Sequence, residues 1–158
     1  SERPLEPELE PYRIQINPIY MHDVMAYASL YIGDSQTMAM EAAVLGVPAI
    51  RFNDFVGKIG VMAELEDGKL NGKQVSCYNL GIGILASEKD AVERLCKTVQ
   101  EVMAMQPAKR KELWQARRQK MLTEKIDYAK FLTWFIENYP SSAEQTQKAD
   151  VAFWEKFK

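Results

Sequence analysis

Ser35, Thr37 and Glu41 are the residues of this chain whose types and spacing could do chemistry. They lie in the run Gly33-Asp34-Ser35-Gln36-Thr37-Met38-Ala39-Met40-Glu41-Ala42-Ala43-Val44-Leu45-Gly46-Val47-Pro48. A serine just before a run of small residues reads as a helix N-cap, its hydroxyl satisfying a free backbone N–H. The other free N–H groups of such a turn, with the positive end of the helix dipole, favour a phosphate. Thr37 adds a hydroxyl on the same turn. Glu41 follows Thr37 by four residues, so both project from one helix face. An ionised carboxylate only accepts hydrogen bonds, so Glu41 could take two from the vicinal hydroxyls of a ribose. The plainer reading is that Ser35 and Thr37 only cap the helix and that Glu41 is solvated.

The elements that must position these residues follow from the flanking pattern. Ala28-Ser29-Leu30-Tyr31-Ile32 reads as a buried strand and Pro48-Ala49-Ile50-Arg51-Phe52 as a second. With a helix over about 36–46 between them, they make one βαβ unit. Ala39, Ala42 and Ala43 let that helix sit close to the sheet, and Gly46 with Pro48 ends it. Upstream, residues 1–11 hold three prolines and four glutamates and suit a loop. Tyr12–Ile16 alternates as a short strand. Met21–Ala28 reads as a short helix with Met21, Val24, Met25 and Ala28 on one face. Downstream, Phe55–Glu66 is a loop running into a helix, Asn71-Gly72 a turn, and Gly81–Ala86 a last strand. Ser87-Glu88-Lys89-Asp90 reads as the capped start of a helical stripe reaching Pro107. A charged helix over about 108–124 and an aromatic one over 127–138 come next. The fold class predicted is α/β, a partial Rossmann-like parallel sheet followed by a helical tail. The division expected is 1–86 for the α/β core and 87–158 for the helices. A start so poor in strands predicts a sheet truncated at its N-terminal side, with an intact small domain as the alternative.

Other residues carry weaker chemical signals. His22 beside Asp23 invites an acid–base role, though a lone histidine defines no mechanism and a structural role is the plainer one. Arg51 and Asn53 lie where a parallel strand ends. Strand ends line the ligand crevice of open α/β sheets, so both are candidate contacts to a phosphate or sugar, as is Lys58 beyond them. Lys109, Arg110, Lys111, Arg117, Arg118 and Lys120 form a basic cluster. Acids interspersed at Glu112 and Glu124 make it read as a solvated helix face. Tyr128, Phe131, Trp134 and Phe135 recur at helical spacing and read as core or interdomain packing.

Composition sets outer limits. The 158 residues are 47% hydrophobic, enough for one domain with a real core. A formal charge of -2 argues against nucleic acid as a partner held by bulk charge. No apolar run reaches membrane-spanning length, and the first residues lack the apolar stretch of a signal peptide. One histidine excludes a multi-histidine metal site. Cys77 and Cys96 stand outside any Cys-x-x-Cys pair, and a reduced, cytoplasmic setting fits them.

The stretch from Asp34 to Pro48 resembles the nucleotide-binding motif in the C-terminal domain of UDP-N-acetylglucosamine 2-epimerases, and more widely the C-terminal half of GT-B glycosyltransferases. The run from Met21–Ala28 into Gly33–Met38 is similar to a group of uncharacterised, glycosyltransferase-like prokaryotic proteins. The resemblance covers residues 1–86 well and the helical tail loosely. It implies a UDP-type nucleotide sugar as ligand, with Ser35, Gln36 and Thr37 at the diphosphate and Glu41 at the ribose. It implies no metal or other cofactor, because amides and hydroxyls neutralise the leaving diphosphate. The glycine pair of the epimerase motif is replaced by Gln36 and Thr37, which narrows the site or substitutes side-chain contacts for backbone ones. The N-terminal domain that such proteins use for the acceptor is the expected partner, with self-association through exposed aromatic helices if it is lacking. The function implied is the donor-binding part of a glycosyltransferase or sugar epimerase, inactive alone. A nucleotide- or phosphate-binding module without turnover, or a structural assembly domain, are the alternatives.

Overall fold

The computed structural model describes residues 5–158. The loop expected at Ser1–Pro4 lies outside them. The first described segment makes two short 3-10 turns, Glu10–Tyr12 and Pro18–Tyr20, then helix α1 (Met21–Ala26). Strand β1 (Tyr31–Gly33), helix α2 (Gln36–Val44) and strand β2 (Ala49–Asn53) form the βαβ unit. Helix α3 (Gly60–Leu65) and a small hairpin of β3 (Lys69–Leu70) and β4 (Lys73–Gln74) lead to strand β5 (Gly81–Leu85). Asn71 and Gly72 make the hairpin turn at φ 48° and 75°, the left-handed pair that a two-residue loop requires. The sheet is parallel throughout, in the order β1-β2-β5. The protein is thus α/β with a three-stranded parallel sheet.

Local chemistry explains α2. Ser35 has extended backbone angles, and its Oγ accepts the Met38 N–H at 3.3 Å. Ala39, Ala42 and Ala43 are buried. At the other end Gly46 takes φ 76°. The Gly46 N–H donates to the Ala43 carbonyl and the Val47 N–H to the Ala42 carbonyl, the Schellman arrangement that closes a helix.

β2 is the central strand, and its side chains alternate between two packed faces. Ala49 faces Ala42, Ala43, Leu65, Leu80 and Trp114. Ile50 packs with Ile84, Ala91 and, from helix α4 (Ala91–Ala104), Leu95 and Val99. Arg51 follows on the same face as Ala49, fully buried and paired with Glu66 at the end of α3. Arg51 Nε and Nη2 donate to the two carboxylate oxygens at 2.8 and 3.0 Å. Arg51 is in register with Gly83. A Cβ on Gly83 would stand 2.5 Å from Glu66 Oε2, so a glycine is what admits the carboxylate. Burial pushes the Glu66 carboxyl up from its ordinary range, and Arg51 pulls it back.

The basic helix α5 (Pro107–Glu124) corrects the expectation of a solvated cationic face. Lys109, Lys111 and Lys120 are exposed, but Arg110 is buried. Arg118 Nε donates to the Val44 carbonyl at 2.8 Å and Gln115 Nε2 to the Leu45 carbonyl at 3.1 Å, so α5 caps the end of α2. Arg117 donates to the Asn79 carbonyl at 2.8 Å and lies over the Trp114 ring, whose Nε1–H reaches the Leu80 carbonyl at 2.9 Å. Cationic groups at carbonyl-rich ends are favourable by the same logic as the helix dipole.

Helices α6 (Tyr128–Glu137), α7 (Ser141–Gln147) and α8 (Val151–Glu155) carry the aromatic residues. Phe131 is their hub, its ring centroid 5.3 Å from those of Trp154 and Phe157. Tyr128, Leu132, Ile136 and Tyr139 remain exposed.

Four local expectations are corrected. Tyr12–Ile16 is no strand: Tyr12 ends a 3-10 turn, and Arg13–Asn17 has no ladder partner. The first strand is Tyr31–Gly33, not Ala28–Ile32, and as an edge strand it leaves Ile32 47% exposed. Of the expected α1 face only Met25 is buried. Ser87 caps nothing, because α4 begins at Ala91 after a turn.

The buried pair gives a stability prediction. Glu66→Gln leaves an unbalanced guanidinium and should lower the free energy of unfolding in urea by about 3–5 kcal/mol. Arg51→Met with Glu66→Leu should recover most of that loss. A carboxyl raised by burial contributes stability that is present at low pH and falls as pH rises through its raised value. The double variant should therefore gain on the wild type as pH rises from about 4 toward neutral.

Candidate functional site

The turn Gly33-Asp34-Ser35 carries the chain from the C-terminal end of β1 into α2. Ser35 Oγ and the Ser35 carbonyl take the Met38 and Ala39 N–H groups. The N–H groups of Gln36 and Thr37 meet no acceptor among the described residues. They are the unspent donors of a nine-residue helix, at its positive end. Ser35 Oγ keeps its own hydrogen, which is free to donate.

Thr37 is exposed, and Glu41 keeps 31% of its side chain accessible one turn further along. His22, on α1, brings Nε2 to 3.4 Å from Glu41 Oε2. The two residues were singled out separately by sequence; the packing of α1 against α2 makes them neighbours. Tyr31 joins this rim from β1. Burial, then the charges of Asp34 and Glu41, raise its hydroxyl above the ordinary tyrosine range. It is therefore a neutral donor throughout the neutral pH range. A Cβ on Gly33 would meet the Tyr31 hydroxyl, so a side chain there would have to displace the ring.

Two concavities flank the start of α2. A groove of about 770 Å³ runs on the α1 side, lined by Arg13, Gln15, Asn17, Met21 and Met38 among others. A smaller apolar hollow of about 150 Å³ lies on the α3 side, between Gln36, Thr37, Met40 and the residues Ile59, Val61 and Met62.

The expectation that Arg51 contacts a ligand is corrected. Arg51 sits inside β2 rather than at its end, has no exposure, and spends its guanidinium on Glu66 and Asn53. Asn53 ends the strand, one residue beyond the expected limit at Phe52, and its amide is engaged within the protein. Its Oδ1 accepts from Arg51 Nη1 and from the Phe55 N–H, each at 2.9 Å. Its Nδ2 donates to the Asp34 carbonyl at 2.8 Å. A continuous chain of hydrogen bonds thus runs from Glu66 through Arg51 and Asn53 to the turn that precedes α2. Glu66 escaped sequence reasoning; its one signal was the Gly81-x-Gly83 pattern of the facing strand. Lys58 donates to the Asp54 carbonyl at 2.8 Å.

Among the described residues no group of three His, Cys, Asp or Glu side chains is placed to hold a metal ion. No helix among them is long and apolar enough to cross a membrane. Comparison with family models, with curated proteins and with solved structures finds no match to the chain.

The hydrogen-bond chain predicts a local effect at the site. Asn53→Leu should cost about 1–3 kcal/mol, by stranding the Arg51 Nη1 donor. Hydrogen exchange should quicken at Ser35–Ala39, where the turn loses its tether, while the amides of β5 keep their relative protection. Equal protection at Ser35–Ala39 in the variant would remove Asn53 from the site's support.

Proposed function

We propose that this chain is the nucleotide-sugar-binding part of a GT-B-like glycosyltransferase or sugar epimerase, with a UDP-type nucleotide sugar as ligand. The observation that carries the reading is the start of α2. Two unspent amides and a free hydroxyl hydrogen converge there, with an accessible carboxylate one turn beyond. The Gln36 and Thr37 amides, with the Ser35 hydroxyl, receive the diphosphate. Glu41 accepts from the ribose hydroxyls, and His22 beside it fixes the carboxylate's orientation. As the sugar departs, charge builds on the diphosphate, and donors already aimed at it stabilise that charge without reorganising. The chemistry needs no metal in this form. Acceptor recognition falls to the partner N-terminal half of such proteins, facing the same rim.

Calorimetric titration with UDP tests the reading. UDP should bind the full chain. Glu41→Ala should bind it about tenfold or more weakly, the loss of a charge-assisted hydrogen-bond pair. Ser35→Ala should weaken binding as well and lower stability by about 1 kcal/mol through the lost cap, so its titration is run well below its melting temperature. Uridine without phosphates should bind more weakly than UDP. Absence of UDP binding, or Glu41→Ala binding as the wild type does, would refute the assignment and leave α2 a capped structural helix.

A further inference from the structure

The first turn of α5 carries a second, separate feature, at the opposite edge of the sheet from the start of α2. Here the segments that enter β1 and β2 meet α5 around a cavity of about 190 Å³. Its walls include Tyr27, Ser29, Pro107, Arg110, Lys111 and Gln115, and no lining residue is acidic.

Arg110 is the unusual member. Only 6% of it is exposed, yet no carboxylate among the described residues pairs with it. Its Nη1 donates to the Val102 carbonyl at 3.3 Å and lies 3.6 Å from the Met103 sulfur. Nε and Nη2 have no partner among the described residues. Among the described residues every side-chain nitrogen or oxygen sealed from solvent does have one, so these two nitrogens keep contact with solvent, and Arg110 lines the cavity. A buried cation without a counter-charge is costly, and an anion in the cavity would relieve it.

The helix start points the same way. α5 has no side-chain cap and no acid in its first turn. Pro107 has no N–H, the Arg110 N–H goes to the Gln106 carbonyl, and the amides of Ala108 and Lys109, beside the cavity rather than in its lining, meet no acceptor among the described residues. Lys109, Arg110 and Lys111 add like charge to the positive end of the dipole, the reverse of what an empty helix start favours. Ser29 contributes a hydroxyl that makes no hydrogen bond among the described residues.

We propose that this cavity binds the phosphoryl group of a small ligand. The Arg110 guanidinium and the Lys111 ammonium come from α5 and the Ser29 hydroxyl from the segment that enters β1, so a bound group is met from two sides, and two cations suit a dianion better than a singly charged carboxylate. The volume equals roughly six waters, room for a phosphate and a few further atoms rather than for a polymer. The site is independent of the nucleotide reading, whose residues lie at the other edge of the sheet.

The test is calorimetry and thermal unfolding of the full chain in inorganic phosphate, glycerol phosphate or acetate, with sodium chloride holding ionic strength constant. Phosphate should bind and raise the melting temperature. Lys111→Gln should bind it about tenfold more weakly. Lys120→Gln, an exposed cation further along the same helix, should bind as the wild type does. Arg110→Lys keeps the charge but not the fork and should also bind more weakly. Glycerol phosphate binding alongside phosphate would assign a phosphorylated small molecule, and phosphate binding alone would assign the free ion; both uphold the site. Stabilisation no greater than that from chloride, acetate binding as tightly as phosphate, or a Lys111→Gln variant indistinguishable from wild type would overturn it.

Discussion

A guanidinium locked to a carboxylate inside the central strand is the constraint on which the sheet and its rim depend. Arg51 occupies a position that hydrophobic residues fill in most buried parallel strands. Its presence dictates what surrounds it. Glu66 must end α3 at that depth, Gly83 must lack a side chain so that β5 can lie against the carboxylate, and Asn53 takes a hydrogen bond from the remaining guanidinium nitrogen. In a low-dielectric interior such a pair stabilises weakly, because desolvation offsets most of the attraction. What it supplies is position: it fixes β2, β5 and α3 in one register. Through Asn53 it reaches the Asp34 carbonyl and sets where α2 begins.

How much of this could be read from sequence depended on how far each residue's partner lies along the chain. The α2 unit was legible because its signals are local: a serine cap three residues from the N–H it accepts, alanines at helical spacing, a glycine where the chain must turn left-handed. The α/β class followed from that unit and the parallel order it implies. Arg51 was misread because its position relative to the strand end was judged one element at a time, whereas its partner lies 15 residues away on another element. The basic helix was misread for the same reason. Charge and periodicity show that α5 carries cations; they do not show that Arg118 and Gln115 meet carbonyls some 70 residues earlier in the chain. Alternation at Tyr12–Ile16 failed differently, since a strand needs a partner and period-two spacing supplies none. The candidate site was half legible. Ser35, Gln36, Thr37 and Glu41 fall where the helix pattern put them, while the pairing of His22 with Glu41 and the part played by Tyr31 come only from packing.

The two uncommitted helix starts differ in a way that separates what each could hold. At α2 the donors are backbone amides, and the nearby charges that raise the Tyr31 hydroxyl are negative, Asp34 and Glu41. A bare phosphate placed there gains from the dipole and loses to those carboxylates. A ligand must bring its own hydrogen-bond donors to Glu41 to profit, and sugar hydroxyls on a phosphate supply that combination. At α5 the cavity lining is cationic and free of acids, and its arginine is largely buried. A phosphate gains there without needing anything attached to it. The same backbone geometry thus carries opposite requirements, set by the side chains within one turn of it. The parallel sheet keeps them apart by placing one start at the strands' C-terminal edge and the other at their N-terminal edge.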